Sequence, residues 1–226
     1  AAGINWERVG IFATRNTLSI GAAAQFDLNG NDRFINSQYI EARLDMPLGG
    51  SVNVEFGGVV ELAQASDKSF YAAFAVSTEI LWTLPTALRD RLAFAGWFSS
   101  GDWNDRLGVF IPLTMQARGK ALRPESSGIA LVETTYTLGF YPRIAADLSG
   151  GYYFRTDMTS FYHREVNPFS ASPLLGGELY GGLVWAPFSD LLVSAGGGVF
   201  FPGTGKVFTD NADLIYSVLL TASVSL

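Results

Sequence analysis

The sequence predicts an all-β fold, specifically a transmembrane antiparallel up-and-down β-barrel with about 11–12 strands in this chain. The first observation is the last segment, Tyr216 to Leu226, in which apolar side chains alternate with Ser and Thr. Successive side chains of a strand point to opposite faces, so this strand has one apolar and one polar face. Leu219 is the exception. Similar alternation recurs along the chain, and most of the polar faces carry a carboxylate.

The second observation is the composition. Hydrophobic residues make up 48% of the chain and charged residues 16%. Even so, no apolar run reaches the ~18 residues that a spanning helix needs. A barrel in lipid reconciles the two facts, because only every second residue of each strand faces the lipid.

Alternation and turn residues predict eleven strands. They cover residues 5–14, 17–28, 36–46, 51–63, 70–83, 90–100, 128–140, 144–156, 176–186, 190–201 and 215–226. Taken at every second residue, the apolar faces run from Leu18 to Leu28, Ile40 to Met46, Val52 to Leu62, Phe74 to Trp82, Leu148 to Phe154 and Leu179 to Trp185. Each strand is near or above the ~9–11 residues that cross a bilayer at a tilt.

The connections alternate in length, which is the third observation. Short ones lie at 15–16, 47–50, 85–89, 141–143 and 187–190, and long ones at 29–35, 64–69, 101–127, 157–175 and 202–214. Short periplasmic turns opposite long extracellular loops are typical of outer-membrane barrels.

This polarity places Ala1 on the long-loop side, whereas bacterial barrels have even strand numbers. Either the count is wrong by one or at least one strand precedes Ala1, and we expect the second. The prediction is a single barrel domain over 1–226, the C-terminal part of a larger barrel.

Aromatic residues cluster at the predicted strand ends. Those on the short-turn side are Trp6, Trp82, Trp185, Phe140, Tyr141 and Phe188, and those on the long-loop side are Phe98, Phe154 and Phe201. Aromatic rings favour the headgroup level of a bilayer, so we interpret them as two girdles. The alternative is ordinary core packing.

The polar faces supply the candidate site. The predicted lumen-lining residues are Asp27, Glu41, Arg43, Asp45, Glu55, Glu61, Glu79, Glu133, Asp147, Arg155 and Glu178. Burying an unpaired carboxylate costs several kcal/mol, so these acids need water or partners. One interpretation is a water-filled lumen with a negative potential that favours cations. The other is a lumen plugged by internal ion pairs.

The loop 101–127 is the second candidate feature. Its centre, 107–115, is apolar, and Arg118, Lys120 and Arg123 follow. A loop this long with apolar content is unusual for a segment surrounded by water. We predict that it folds into the pore as a constriction. The alternative is that it packs on the rim or against a partner.

Several classes of function are disfavoured. The net charge of −6 argues against nucleic-acid binding, and the absence of Cys excludes disulfides and thiolate metal sites. Short Asn/Asp clusters such as 102–105 match no EF-hand and suit turns. His163 has Ser160 nearby, but the chain has no nucleophile elbow or phosphate loop. We expect no enzymatic activity, no metal and no cofactor.

Short motifs in residues 95–226 carry a resemblance. They are Ser99-Ser-Gly-Asp102, Phe110-Ile-Pro-Leu113, Phe140-Tyr-Pro142, Tyr152-Tyr-Phe-Arg155 and Gly176-Gly-Glu-Leu179. Together they resemble the later half of outer-membrane porin-like channels of the alginate-export type. The resemblance implies a monomeric barrel for passive, selective passage of solutes. Those channels have an arginine-rich lumen suited to a polyanion, whereas the predicted lumen here is acidic, so the resemblance does not extend to the substrate.

The expected function is therefore an outer-membrane channel for passive passage of small polar solutes or ions through an acidic lumen. The alternative is a structural or partner-binding barrel with a closed lumen. Two further interpretations stay open, a channel for hydrophobic substrates with Phe12, Trp97, Tyr153, Tyr180 and Phe200 in its lumen, and a soluble ligand-binding barrel. The expected partners are the lipid bilayer, the outer-membrane assembly machinery and small polar solutes or ions, with a protein partner left open.

Overall fold

The computed structural model describes residues 2–9, 15–26, 35–65, 70–88, 90–103, 107–113, 119–122, 127–158, 167, 170, 172–203, 207–208 and 214–224. Its elements are eleven strands: β1 (Ala2–Val9), β2 (Thr17–Gln25), β3 (Ile35–Leu48), β4 (Val52–Ala65), β5 (Tyr71–Thr83), β6 (Arg91–Ser99), β7 (Ile129–Tyr141), β8 (Ile144–Arg155), β9 (Leu174–Phe188), β10 (Leu191–Pro202) and β11 (Ile215–Val224). In these residues, no helix is long and apolar enough to cross a membrane.

The strands form one sheet in which every strand pairs antiparallel with its neighbours in the sequence. This is an up-and-down topology, so the predicted all-β fold class is confirmed. Most strand ends lie within two residues of the prediction. The first strand differs: it was predicted over 5–14, whereas β1 ends at Val9, which pairs with Thr17. Residues 10–14 lie outside the described ranges.

From β6 onward, long connections alternate with connections of two residues, as predicted. Earlier in the chain the alternation is not seen, because the β4–β5 connection, predicted as long, spans five residues and the β5–β6 connection, predicted as short, spans seven. The tight turns follow β3, β7 and β9, and Gly49 adopts a positive φ of 76° in the first of them. Glycine suits that position because it has no Cβ to oppose a left-handed backbone. The longest connection, between β6 and β7, covers residues 100–128 and contains the predicted loop 101–127.

The two edges of the sheet are β1 and β11, and no pairing joins them within the described residues. Both strands run from the long-loop side to the short-turn side, so pairing them directly would make a parallel pair. Val218 and Leu220 on β11 are 88% and 77% exposed. That a further strand precedes Ala1 stays a prediction.

One face of the sheet is apolar and exposed. Its exposed large side chains include Ile40, Phe56, Val60, Val76, Ile80, Val132, Leu148, Leu179, Leu183, Val218 and Leu220. Near the short turns this face carries exposed Trp82, Phe140, Tyr141, Trp185 and Phe188, where a girdle was predicted. The side chain of Trp6 lies outside the described set. A large exposed apolar surface is unfavourable in water.

The two clusters of buried apolar residues lie on the opposite, polar face. One hydrophobic cluster joins Ala121 and Leu122 of the loop to Leu131, Tyr153, Leu175, Phe200, Val207 and Phe208. A second joins Phe110 of the loop to Tyr39, Ala63, Tyr71, Ala73 and Ala75. The core is therefore formed between the loop and this polar face, which is the inner face of the sheet.

The sheet curves around this loop. Tyr39 on β3 donates a hydrogen bond to the carbonyl of Ile111, and Ser217 on β11 donates one to the carbonyl of Lys120. In a flat sheet β3 and β11 would be eight strand spacings apart, about 38 Å. The nine Cα-to-Cα steps from Ile111 to Lys120 reach at most about 32 Å. The loop backbone is therefore shorter than the separation of the two strands in a flat sheet, which indicates that the sheet curves.

Asp90 closes the turn between β5 and β6, and its carboxylate gives a pH-dependent prediction. Thr86 and Tyr136 both donate hydrogen bonds to it, which hold the pKa of Asp90 below its usual value. A lowered folded-state pKa stabilises the fold above the unfolded value of about 3.9, and this stability is lost as pH falls through the folded value. Asp90→Asn should unfold more readily than the parent at pH 7, with the difference vanishing in acid. Denaturant titrations at several pH values measure this, and a difference that is constant with pH would contradict it.

Candidate functional site

Carboxylates on the polar face lie in one row across neighbouring strands. Asp45 on β3 pairs directly with Glu55 on β4, which pairs with Glu79 on β5. The same row continues through Ala95 to Glu133 on β7, and through Gly151 to Glu178 on β9. Like charges that lie opposite each other repel, so the row needs water or cations beside it. Sequence alternation predicted the face of these acids but not their alignment.

Partners offset part of this charge. Arg43 on β3 donates to Glu55 at 2.5 Å in a partly exposed ion pair. The hydroxyl of Thr135 donates to Glu133 at 2.9 Å. Glu41 and Glu79 are exposed on the same face. Surface ion pairs stabilise by only ~0–1 kcal/mol, so the Arg43–Glu55 pair matters more for local charge than for stability.

Glu61 on β4 holds the first half of the loop. It is fully buried, and it accepts hydrogen bonds from Ser37 at 2.7 Å and Tyr39 at 3.2 Å. Its other oxygen accepts the backbone N–H of Ile111 at 2.8 Å. Next to it, the Phe110 ring packs edge-on against the rings of Tyr39 and Trp97. The apolar centre of the loop is thus fixed to the inner face of β3 to β6.

Glu178 on β9 holds the second half. Its Oε1 accepts the N–H of Lys120 at 2.9 Å. Its Oε2 accepts the N–H groups of Ala121 at 2.9 Å and Leu122 at 3.2 Å. Three amides on one buried carboxylate form a compact anion site, and hydrogen bonds to a charged acceptor are the stronger kind. The two glutamates therefore fasten the loop at two separate places.

The Lys120 side chain extends along the same wall. Its Nζ lies 2.9 Å from Asp147 Oδ2 on β8 and 4.5 Å from the centre of the Tyr180 ring on β9. The Lys120 carbonyl accepts the Ser217 hydroxyl at 3.0 Å. Of the three predicted constriction cations, Lys120 is in contact with the polar face. Arg118 and Arg123 lie outside the described residues.

Arg155, at the long-loop end of β8, is buried. Its guanidinium donates to the carbonyls of Ser170 and Ser172. It therefore binds the loop that precedes β9. Asp27 and His163 lie outside the described residues. In the described ranges, no three His, Cys, Asp or Glu side chains come together in a way that would hold a metal.

Sequence reasoning missed the small and aromatic partners of these charges. Ser37 and Tyr39 donate hydrogen bonds to Glu61, and Tyr39 and Ser217 donate hydrogen bonds to carbonyls of the loop. Alternation in the sequence predicts only that these three residues lie on the polar face. Tyr153 and Phe200, proposed as a lining for hydrophobic substrates, are fully buried and pack against each other. They belong to the cluster beneath the loop.

The geometry defines a class of structure: a curved antiparallel sheet with an apolar outer face, a polar inner face and an inserted loop. No protein-family model matches the chain, and no curated protein sequence matches it. Among solved structures the chain is similar to a NanC porin, with 11% sequence identity and a TM-score of 0.47, over 99% of this chain and 98% of that chain. A likeness of this size carries no inference about function. The resemblance to the alginate-export channels stays a prediction.

Proposed function

We propose that the protein is an outer-membrane channel that passes small polar solutes or ions passively through an acidic lumen narrowed by the loop 101–127. The observation that carries the proposal is the division of the sheet into two faces. The outer face exposes large apolar side chains such as Ile40, Val60 and Leu148. The inner face carries the carboxylates, which suits lipid outside and water inside.

The charges of the inner face set the expected selectivity. Glu61 and Glu178 are engaged by loop amides, and Arg43 and Lys120 are paired with Glu55 and Asp147. Glu41, Asp45, Glu79 and Glu133 have no cation assigned among the described contacts, so an excess of negative charge faces the proposed lumen. A negative potential in a narrow passage concentrates cations.

The loop supplies the proposed constriction. Its two anchored parts, 107–113 and 119–122, lie against the inner face at the long-loop end. A segment inside the sheet reduces the cross-section there, while the short-turn half keeps mostly small and charged inner residues. We therefore propose that the protein is a channel and not an enzyme.

Reversal potential under a KCl gradient tests the selectivity. The protein in a planar bilayer should prefer K⁺ over Cl⁻, because in the part of the chain that the structure describes the inner-face acids without an assigned cation outnumber the inner-face cations. The preference should weaken from 0.1 M to 1 M salt, since the Debye length falls from about 10 Å to about 3 Å. The double substitution Glu41→Gln and Glu79→Gln should reduce the preference for K⁺. Chloride preference in the parent protein would refute the acidic-lumen proposal.

A second candidate function is a structural or partner-binding barrel with a closed lumen. The observation that favours it is the pair of hydrophobic clusters, which fill space between the loop and the sheet. Single-channel recordings separate the two candidates. Stepwise conductance supports the channel, whereas correctly assembled protein that gives no conductance supports the closed barrel.

A further inference from the structure

The Lys120 ammonium occupies a small site on the inner wall. Asp147 provides a carboxylate oxygen at 2.9 Å, and the Tyr180 ring lies beneath the ammonium at 4.5 Å. A carboxylate beside an aromatic face is a combination that binds organic cations. The side chains of Lys120 and Asp147 are 33% and 23% exposed, so the site is open to solvent.

Three glycines make room for this site. A Cβ at Gly182 would collide with the Asp147 carboxylate, and one at Gly196 would collide with the Tyr180 hydroxyl. A Cβ at Gly198 would press against the Tyr180 ring at 3.0 Å. These glycines are on β9 and β10, directly beside the two side chains. The ring and the carboxylate can therefore lie close to the wall and leave their upper side to a cation.

We propose that Asp147 and Tyr180 form a recognition subsite for the primary ammonium group of a transported solute. Lys120 occupies this subsite as an internal ligand and leaves it when a solute ammonium binds. The ligand class follows from the chemistry of the occupant, because a lysine side chain ends in an alkylammonium. The proposal rests on the proposed channel function, through which such solutes reach the site.

The loop is built so that the Lys120 side chain can leave while the loop stays. The backbone N–H of Lys120 donates a hydrogen bond to Glu178, and the backbone carbonyl of Lys120 accepts one from Ser217. Neither hydrogen bond involves the ammonium. The cation can thus exchange by side-chain rotation alone. The Asp147 carboxylate repels an anion, and a neutral solute forms neither the ion pair nor the cation–π contact.

The test is calorimetric titration of the refolded protein in detergent with n-butylammonium chloride at low salt. Lys120→Met removes the internal ligand but keeps the backbone contacts and the side-chain length. Affinity for n-butylammonium should rise about tenfold, because a tethered competitor acts at a millimolar or higher effective concentration. 1-Butanol is the neutral control and should give no saturable binding.

Further variants in the Lys120→Met background assign the two binding groups. Asp147→Asn should weaken binding about tenfold or more, because it removes the charge. Tyr180→Leu should weaken it about threefold to tenfold, and Tyr180→Phe should retain the affinity, since the ring face is kept. Heat-modifiable migration on gels confirms that each variant is assembled.

The outcomes separate this proposal from the channel function. Equal n-butylammonium affinity in the parent and in Lys120→Met would overturn the internal-ligand proposal, as would unweakened binding after Asp147→Asn. Binding with the expected variant pattern but no conductance in a bilayer supports the subsite and refutes the channel. Conductance without saturable n-butylammonium binding supports the channel and refutes the subsite.

Discussion

Leu183→Arg should destabilise the assembled protein by about 2–4 kcal/mol, the cost of an arginine near the midplane on the lipid face of a barrel. Leu183 is in the middle of β9 and half exposed on the apolar face. It pairs with Ala146 on β8 and Ala195 on β10, so the new guanidinium gains no acidic partner directly across either strand. Urea titration of the protein in lipid vesicles measures the change.

Ser194→Arg is the matched control. Ser194 is on β10, pairs with Val184 and Thr221, and belongs to the polar face. An arginine there faces the proposed water-filled side and should change the free energy of unfolding by less than about 1 kcal/mol. Equal destabilisation by the two arginines would show that the faces are misassigned or that the protein is not in lipid.

Glu178→Ala should have the second large effect. It removes the acceptor for the N–H groups of Lys120, Ala121 and Leu122 and leaves those donors unsatisfied beside a hydrophobic cluster. Each buried unsatisfied group costs ~1–3 kcal/mol, so the three amides together predict a loss of about 3–9 kcal/mol. The 119–122 segment should detach from β9, and single-channel conductance should increase.

Glu133→Ala is the control for this variant. Glu133 is in the same row of carboxylates, but the contact described for it is the hydroxyl of Thr135. Its removal should alter stability and conductance little while reducing cation preference. If Glu178→Ala behaves like Glu133→Ala in both stability and conductance, the glutamate does not hold the loop.

The sequence by itself predicted the strands and their faces. Each strand side chain alternates with a period of two, and the turns carry Gly and Pro, so both signals are local. That is why β3 to β11 lie close to their predicted bounds and why Glu55 and Glu61 fall on one face. The apolar composition of the loop centre predicted that this segment lies away from water, because exposing apolar surface to water is unfavourable.

The tertiary structure alone decided how the charges are used. The hydrogen bonds that position the loop join residues far apart in the sequence. The partners Ile111 and Glu61 are 50 residues apart, Lys120 and Glu178 are 58 apart, and Ser217 and Lys120 are 97 apart. No local pattern encodes these pairs, because they depend on strand register and on the curvature that brings β3 and β11 to one loop. The acids therefore look alike in the sequence, yet in the fold Glu61 and Glu178 bind backbone amides, Asp147 binds an ammonium, and Glu79 is exposed on the inner face.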